Sequence, residues 1–256
     1  MTDATDLRRY DGLVRESIAG SVFASRQWLD YSGVQARFFG VYKGTECIAG
    51  VAVPHSGGRV VPVVHGTPWT GIVARPGDEG ERLQIACEVA RHLRREFGDA
   101  SLTLPPEWQD IRGFLWDGWR SHVRYTYRGE HPIYEKRLTF RDCFVRIASA
   151  HETSEWEIRS YATGDSSIES VFDWRHAYYR QANAGGTYHA ECVNTMIRQA
   201  EERKLSFDLV GCNSPLRSLF KRAFGGKLTP YYFVTTGDPA DVEEFWGENR
   251  PRRLAA

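Results

Sequence analysis

The sequence predicts a mixed α/β (α+β) fold made of two related lobes, the second of them shortened. Three observations lead there. Strand-like apolar runs alternate with stripes at helical spacing along most of the chain. The order of elements that closes the first half returns at the close of the second. No stretch reaches the ~20 consecutive apolar residues that cross a bilayer, so no membrane span is expected. The lobes are expected at residues 1–135 and 136–250.

Taken in order, Leu7 to Ile18 has the spacing of a helix. Ala36 to Val53 reads as a hairpin, with Lys43-Gly44 as its turn. An apolar run from Val60 to Val64 follows, then the turn text His65-Gly66-Thr67-Pro68-Trp69-Thr70-Gly71. Leu83, Ala86, Ala90, Leu93 and Phe97 recur at helical spacing, and Gly98 supplies the stop. Next come a short strand at Ser101 to Leu104, a Pro105-Pro106 break, a short helix near Asp110 to Trp116, and a strand at His122 to Arg128.

The second half echoes this ending. Ala190, Val193, Ile197 and Ala200 mark a helix, Phe207 to Val210 a strand, Pro215 to Phe224 a helix and Pro230 to Thr235 a strand. Aligning Asp110–Trp119 with Pro215–Gly226 sets Arg112 against Arg217 and Phe114 against Leu219, with Tyr125 and Tyr231 at nearly the same offset. An internal duplication is the expectation this raises. The text from Arg137 to Arg180 is too short to repeat everything in the first lobe.

Composition narrows the function classes. Lys plus Arg and Asp plus Glu each number 33, so the formal charge is zero and no global field draws the chain to nucleic acid or an anionic membrane. A polyanion would have to meet a local patch; Arg91, Arg94 and Arg95 are one candidate, with a solvated helix face as the plainer reading. Five scattered cysteines without a C-x-x-C pair argue against a disulfide framework and against zinc. Met1 to Tyr10 is polar and of mixed charge, unlike a signal peptide, and the expected location is cytoplasmic. There is no G-x-S-x-G elbow, no H-E-x-x-H, no Walker loop and no G-x-G-x-x-G fingerprint. Metal and nucleotide-cofactor chemistry are therefore not expected.

Residues 207–236 carry the most information. Ser214 is an N-cap, Pro215 fits the first helical position, and Gly225 can take the left-handed stop. Leu216, Leu219, Phe220, Ala223 and Phe224 make a buried stripe. Arg217, Lys221 and Arg222 make the other side of that helix cationic. Those cations serve either to steady the negative end of the helix dipole or to hold an anion.

The string FDLVGCNSPLRSLFKRAFGGKLTPYY (Phe207 to Tyr232) resembles the closing motif of the Fem family of peptidyltransferases, within the GNAT-like acyltransferases. VFDWRHAYYRQANAGGTYHAECVNTMIRQA and DIRGFLWDGWRSHVRYTYR are similar to further parts of that family. The resemblance implies a GNAT-like fold and transfer of an aminoacyl group from aminoacyl-tRNA to an amine. It implies no cofactor beyond that co-substrate. Lys221 matches the family's FK lysine, which the resemblance sets beside the tRNA acceptor end and the reacting ester; Phe220, Phe224 and Gly225 would frame it. The chain departs from members acting on cell-wall precursors. It has no room for their long helical insertion, and Gly66-Thr67-Pro68 is followed by Trp69-Thr70-Gly71 rather than by an acidic residue. A compact member acting on a peptide-antibiotic intermediate, free, nucleoside-linked or tethered to a carrier protein, fits that trimming.

An aminoacyl ester is already activated, so the protein needs mainly to align the reactants and stabilise charge on the carbonyl oxygen. Lys221 is the candidate for that role, with Arg217 or Arg222 in support. Asp173, Asp208 and Tyr179, with Tyr178 beside it, are the candidates for moving the proton. Phe220, Tyr231, Trp69 and Arg124 are the remaining substrate-binding candidates; large aromatics can stack a base, and more often fill a core. Two alternatives stay open. One is a coenzyme A-dependent N-acyltransferase taking acetyl-CoA at the glycine-bearing turn Arg180 to Thr187, although the glycine spacing differs from the usual pyrophosphate turn. The other is a non-catalytic binding module on the same fold. A shortened second lobe could also leave apolar surface for a homodimer to cover.

Overall fold

The computed structural model describes residues 4–17, 19–31, 35–56, 59–60, 67–129, 176–178, 197, 206–209, 211–213, 218, 221–222 and 224–237. Its elements run α1 (Ala4–Glu16), a 3-10 turn (Val22–Ala24), α2 (Arg26–Tyr31), β1 (Gln35–Lys43), β2 (Glu46–Ser56), β3 (Arg59–Val60), β4 (Ile72–Ala74), α3 (Glu79–Phe97), β5 (Ser101–Thr103), α4 (Arg112–Trp116), β6 (Arg120–Gly129), β7 (His176–Tyr178), β8 (Ser206–Asp208) and β9 (Lys227–Thr235). The fold is α+β, as expected. One sheet has the order β1-β2-β3, with β4 also on β2, and a second has the order β5-β9-β6-β8-β7.

The chain divides into two compact units, one of Met1–Arg124 with Pro230–Ala256 and one of Tyr125–Thr229. In the first unit, β1 and β2 form the hairpin read from the sequence, with register from Gln35↔His55 to Lys43↔Glu46. Gly44 turns it at φ 62°, a conformation costly for residues with a Cβ. Asp78 caps α3 by accepting from the Glu81 N–H at 2.7 Å, and Gly98 ends it with its own N–H on the Arg94 carbonyl at 2.9 Å. The buried seam of α3 is Ile85, Ala86, Val89, Ala90 and Leu93; Leu83 and Phe97, expected in it, are only half-buried. α4 lies close on α3 because Gly113 has no side chain, and a Cβ there would stand 2.6 Å from the Cys87 nitrogen. The core of this unit gathers α3, Leu102, Leu104, Phe114, Trp119 and Val234. At its ladder, β5 pairs antiparallel with the end of β9, from Ser101↔Thr235 to Thr103↔Phe233. Two elements the sequence had not suggested, α2 and β4, belong here; both are short, and short apolar text carries little periodicity.

In the second unit, β8 pairs antiparallel with the end of β6 through Arg128↔Asp208 and Gly129↔Phe207, and parallel with β7. Gly129 lets the Phe207 ring close over the strand, since a Cβ would meet it at 2.6 Å. Thr126, Phe207, Leu209, Cys212 and Phe224 are buried here. Among the described residues no helix is long and apolar enough to cross a membrane.

Candidate functional site

The sequence-predicted residues that come together lie in the second unit, where the chain leaves β8 and runs beside β6. The Leu209 N–H donates to the Tyr127 carbonyl at 2.9 Å, and the Cys212 N–H to the Tyr125 carbonyl at 2.9 Å. Two residues of β6 are thus spanned by three on the opposing chain. That is one extra residue, a bulge. Gly211 sits inside it at φ 55°, and Asn213 ties down its far side by accepting from the Tyr125 N–H at 2.7 Å.

Lys221 addresses this bulge. Its Nζ donates to the Gly211 carbonyl at 2.7 Å, and the residue is only 7% exposed. The expectation of a cation projecting from a solvated face is met by Arg222, which is exposed, and not by Lys221, whose side chain turns inward. A buried ammonium is tolerable when its hydrogen atoms are accepted, and a backbone carbonyl is a strong acceptor for it.

Asp208, at the end of β8, is buried. It accepts from Thr126 Oγ1 at 2.5 Å and pairs with Arg128 Nε at 2.9 Å. These two partners lie two residues apart on β6, so both face the same side of the sheet. Cys212 lies close enough to Lys221 and Asp208 for both to act on its thiol. Burial pushes the Cys212 thiol up to about 11, Lys221 pulls it down, and Asp208 adds to the rise. It is a proton-bearing thiol at neutral pH, not a nucleophile.

The aromatic candidates Trp69 and Tyr231 lie in the first unit. They touch each other edge to face at 5.5 Å and are 1% and 2% exposed, so neither ring offers an open face to a solute in this conformation. Trp69 also meets Phe23, whose ring packs on Trp28, and Trp28 Nε1 donates to Thr67 Oγ1 at 2.8 Å. Tyr125, offset-matched to Tyr231 in the sequence, is exposed. Arg124 is half-buried on β6. Asp173, Tyr179, Arg217, Phe220 and the glycine turn Arg180 to Thr187 lie outside the described residues, while Tyr178 lies on β7.

Sequence reasoning missed Thr126, Arg128, Gly211, Cys212 and Asn213. A lone aspartate ending an apolar strand, Phe207-Asp208-Leu209, was a signal that a charged partner had to exist. Gly211-Cys212-Asn213 looked like an ordinary loop, because a bulge is defined by the strand it faces. A separate recess of about 330 Å³ opens in the first unit between α1 and the hairpin turn, lined by Arg9, Gly12, Glu16, Glu46, Cys47 and Arg75. Arg75 pairs there with Glu46 and, at 3.8 Å, with Glu16. No group of three or more His, Cys, Asp or Glu side chains among the described residues is arranged to hold a metal ion. The described cysteines are Cys47, Cys87 and Cys212, all with free thiols.

No family model matches the chain, and no curated protein matches it. Among solved structures, it is similar to the C-terminal domain (DUF2156) of a protein from Agrobacterium fabrum provisionally named a lysylphosphatidylglycerol synthetase. The likeness covers 96% of each chain at a TM-score of 0.59 and 12% sequence identity. At that identity it establishes the shared fold.

Proposed function

We propose that this chain is an aminoacyltransferase that moves an aminoacyl group from aminoacyl-tRNA to the amine of a small peptide, a cell-wall precursor or a peptide-antibiotic intermediate. The observation that carries the reading is the Lys221 contact with the Gly211 bulge. The lysine of the Fem-like FKRAFGG segment reaches a stretch beside β6 where the regular ladder is interrupted. A bulge beside a buried cation is a place where an acyl carbonyl can be polarised. The name of the structural neighbour describes synthesis of lysylphosphatidylglycerol, an aminoacylated lipid, which supports aminoacyl transfer as the chemistry and adds a lipid headgroup to the acceptors worth trying.

The mechanism asks little of the protein. The acceptor amine attacks the ester carbonyl carbon, forming C–N, and the electron pair moves onto the carbonyl oxygen. Collapse breaks the bond to the tRNA 3′ oxygen, which takes the proton the amine gives up. The products are an amide and a tRNA with a free terminal hydroxyl. Asp208 is engaged by Thr126 and Arg128, so in this reading it holds the strand ends together and the proton passes between the substrates.

The test is donor choice. The purified protein is given a labelled aminoacyl-tRNA pool or labelled acetyl-CoA, a panel of amine-bearing peptides and phosphatidylglycerol vesicles, with ribonuclease controls. Ribonuclease-sensitive label on a peptide is the expected result, and label on lipid alone would move the acceptor class. Transfer from acetyl-CoA alone would replace the reading with the coenzyme A alternative, and ligand binding without transfer from any donor would leave the binding module. Lys221→Ala is expected to lower turnover by two or more orders of magnitude, on the order of 3 kcal/mol.

A further inference from the structure

We infer that the recess in the first unit, between α1 and the turn of the β1–β2 hairpin, is a binding site for a small zwitterion of the free α-amino acid class. Its residues take no part in the acyl-transfer chemistry proposed above, so the two readings stand or fall separately.

Three features build the recess. The first is in α1, where Arg9, Gly12 and Glu16 stand three and four residues apart and share the face that lines it. Glycine is a poor residue for a helix interior. Packing does not demand it at this position, because a Cβ on Gly12 would meet no atom within 4 Å. The missing side chain leaves open volume in a recess of about 330 Å³, a size that suits a small molecule.

The second feature is in the hairpin. Val41 pairs with Ala49 and Tyr42 with Cys47, so Ile48 is an extra residue on β2. A bulge of this kind bends its strand and re-aims the groups beside it. Here the Ile48 carbonyl accepts from the Arg75 N–H at 3.0 Å, which fixes the backbone of Arg75 at the recess, and Glu46 and Cys47 become part of the wall.

Arg75 is the third. Its guanidinium pairs with Glu46 of the hairpin and, at 3.8 Å, with Glu16 of α1, so carboxylates from two elements flank one cation. Arg9 supplies a second cation, and the charges of the lining residues balance. A plain anion entering this space would meet Glu16 and Glu46, and a plain cation would meet Arg9 and Arg75. A molecule carrying an ammonium and a carboxylate on one carbon uses both signs at once. Its carboxylate accepts from Arg75 or Arg9, and its ammonium donates to Glu46 or Glu16. The existing pairs yield readily to such a ligand. The side chains of Arg75, Glu46 and Glu16 are 43%, 59% and 62% exposed, and ion pairs so open to water hold only weakly.

Cys47 reports on the recess directly. It is a free thiol in the wall, and Cys87 on α3 serves as the reference. The full chain is mixed with each common L-amino acid in turn at millimolar concentration and alkylated with iodoacetamide, and the labelled cysteines are distinguished by peptide mass spectrometry. At least one amino acid is expected to slow Cys47 severalfold and leave Cys87 unchanged, with a matching heat of binding in calorimetry. The same amino acid acetylated on its nitrogen, or converted to its amide, keeps one charge and should bind about tenfold more weakly. Gly12→Leu fills the open volume with a better helix former and should abolish binding without lowering the melting temperature. Arg75→Met should weaken binding by about tenfold, and Lys221→Ala in the second unit should leave it unchanged.

If no amino acid protects Cys47, or if the N-acetyl form protects it as well as its parent, the zwitterion site is refuted. Binding that survives in both Gly12→Leu and Arg75→Met, or is lost in Lys221→Ala, belongs elsewhere on the chain and refutes it equally. None of these results bears on donor choice, and a failure of transfer from aminoacyl-tRNA would leave the recess assignment intact.

Discussion

Replacing Asp208 by Asn removes one charge and little else, which makes it the sharpest probe of how the second unit is held. The carboxylate is buried between the Thr126 hydroxyl and the Arg128 guanidinium. An asparagine can keep a hydrogen bond with the Thr126 hydroxyl and turn the other end of its amide toward Arg128, so the shape and the hydrogen bond survive in neutral form. What is lost is the attraction to the guanidinium. Breaking a buried pair outright costs about 3–5 kcal/mol. The surviving hydrogen bond to Thr126 and the 18% exposure of the Arg128 side chain reduce this to about 2 kcal/mol. For a chain of this size the melting temperature should fall by about 4–8 °C. Thiol labelling of buried Cys212 should accelerate in parallel, since Cys212 lies in the same unit. A cycle with Arg128→Met completes the test. That variant alone strands a buried carboxylate, so the double variant should be no less stable than Arg128→Met, with a coupling above about 1 kcal/mol. A change below 2 °C in Asp208→Asn, or strict additivity in the cycle, would refute the claim that this pair is a structural tie.

Gly113→Ala drives a methyl into the α3 backbone at Cys87, and should destabilise the first unit by about 1–3 kcal/mol in urea unfolding; a neutral effect would mean that α4 is free to back away. Trp69→Ala removes the ring packed on Tyr231 and Phe23 and should cost about 3–5 kcal/mol of stability; intact stability with weakened donor binding would restore Trp69 to the substrate site. Alkylation of Cys212 should be far slower than that of Cys47 or Cys87 at pH 8 and should rise through a midpoint near 11. The sign for stability follows from the same shift. The folded thiol holds its proton more tightly than the unfolded one, so its contribution is complete below the unfolded value and is lost as pH rises through about 11, and a stability increase across that window in a Cys212-dependent manner would contradict it.

How far the sequence could be read depended on whether a feature is local. The β1–β2 hairpin, α3 with its Gly98 stop, β6 and β9 were legible because turn chemistry and periodicity are written within the element itself. Lys221 was found through the FKRAFGG text, but its direction was misjudged. Helical spacing tells which residues share a face, and it cannot tell that a carbonyl ten residues away waits behind that face. Trp69 and Tyr231 illustrate the same limit from the other side: an aromatic in turn text and an aromatic on a strand look available until their rings are seen covering each other. The Gly211 bulge depended entirely on pairing with β6, some eighty residues earlier in the chain.

The return of β9 to the first unit has a consequence for how the protein is made. Leu102 and its neighbours on β5 find their ladder partner only in Leu102↔Val234 and the pairs beside it, and Val234 fills the same core as Leu93 and Phe114. On a ribosome moving at roughly 5–20 residues per second, that partner emerges on the order of ten seconds after β5 does. Throughout that interval the nascent chain carries an unfinished sheet edge and an open core, the condition in which strands pair with the wrong neighbour. A nonsense codon between residues 130 and 229 would therefore do more than delete β9. It would leave β5 without its ladder partner and the core around Leu93 and Phe114 without Val234.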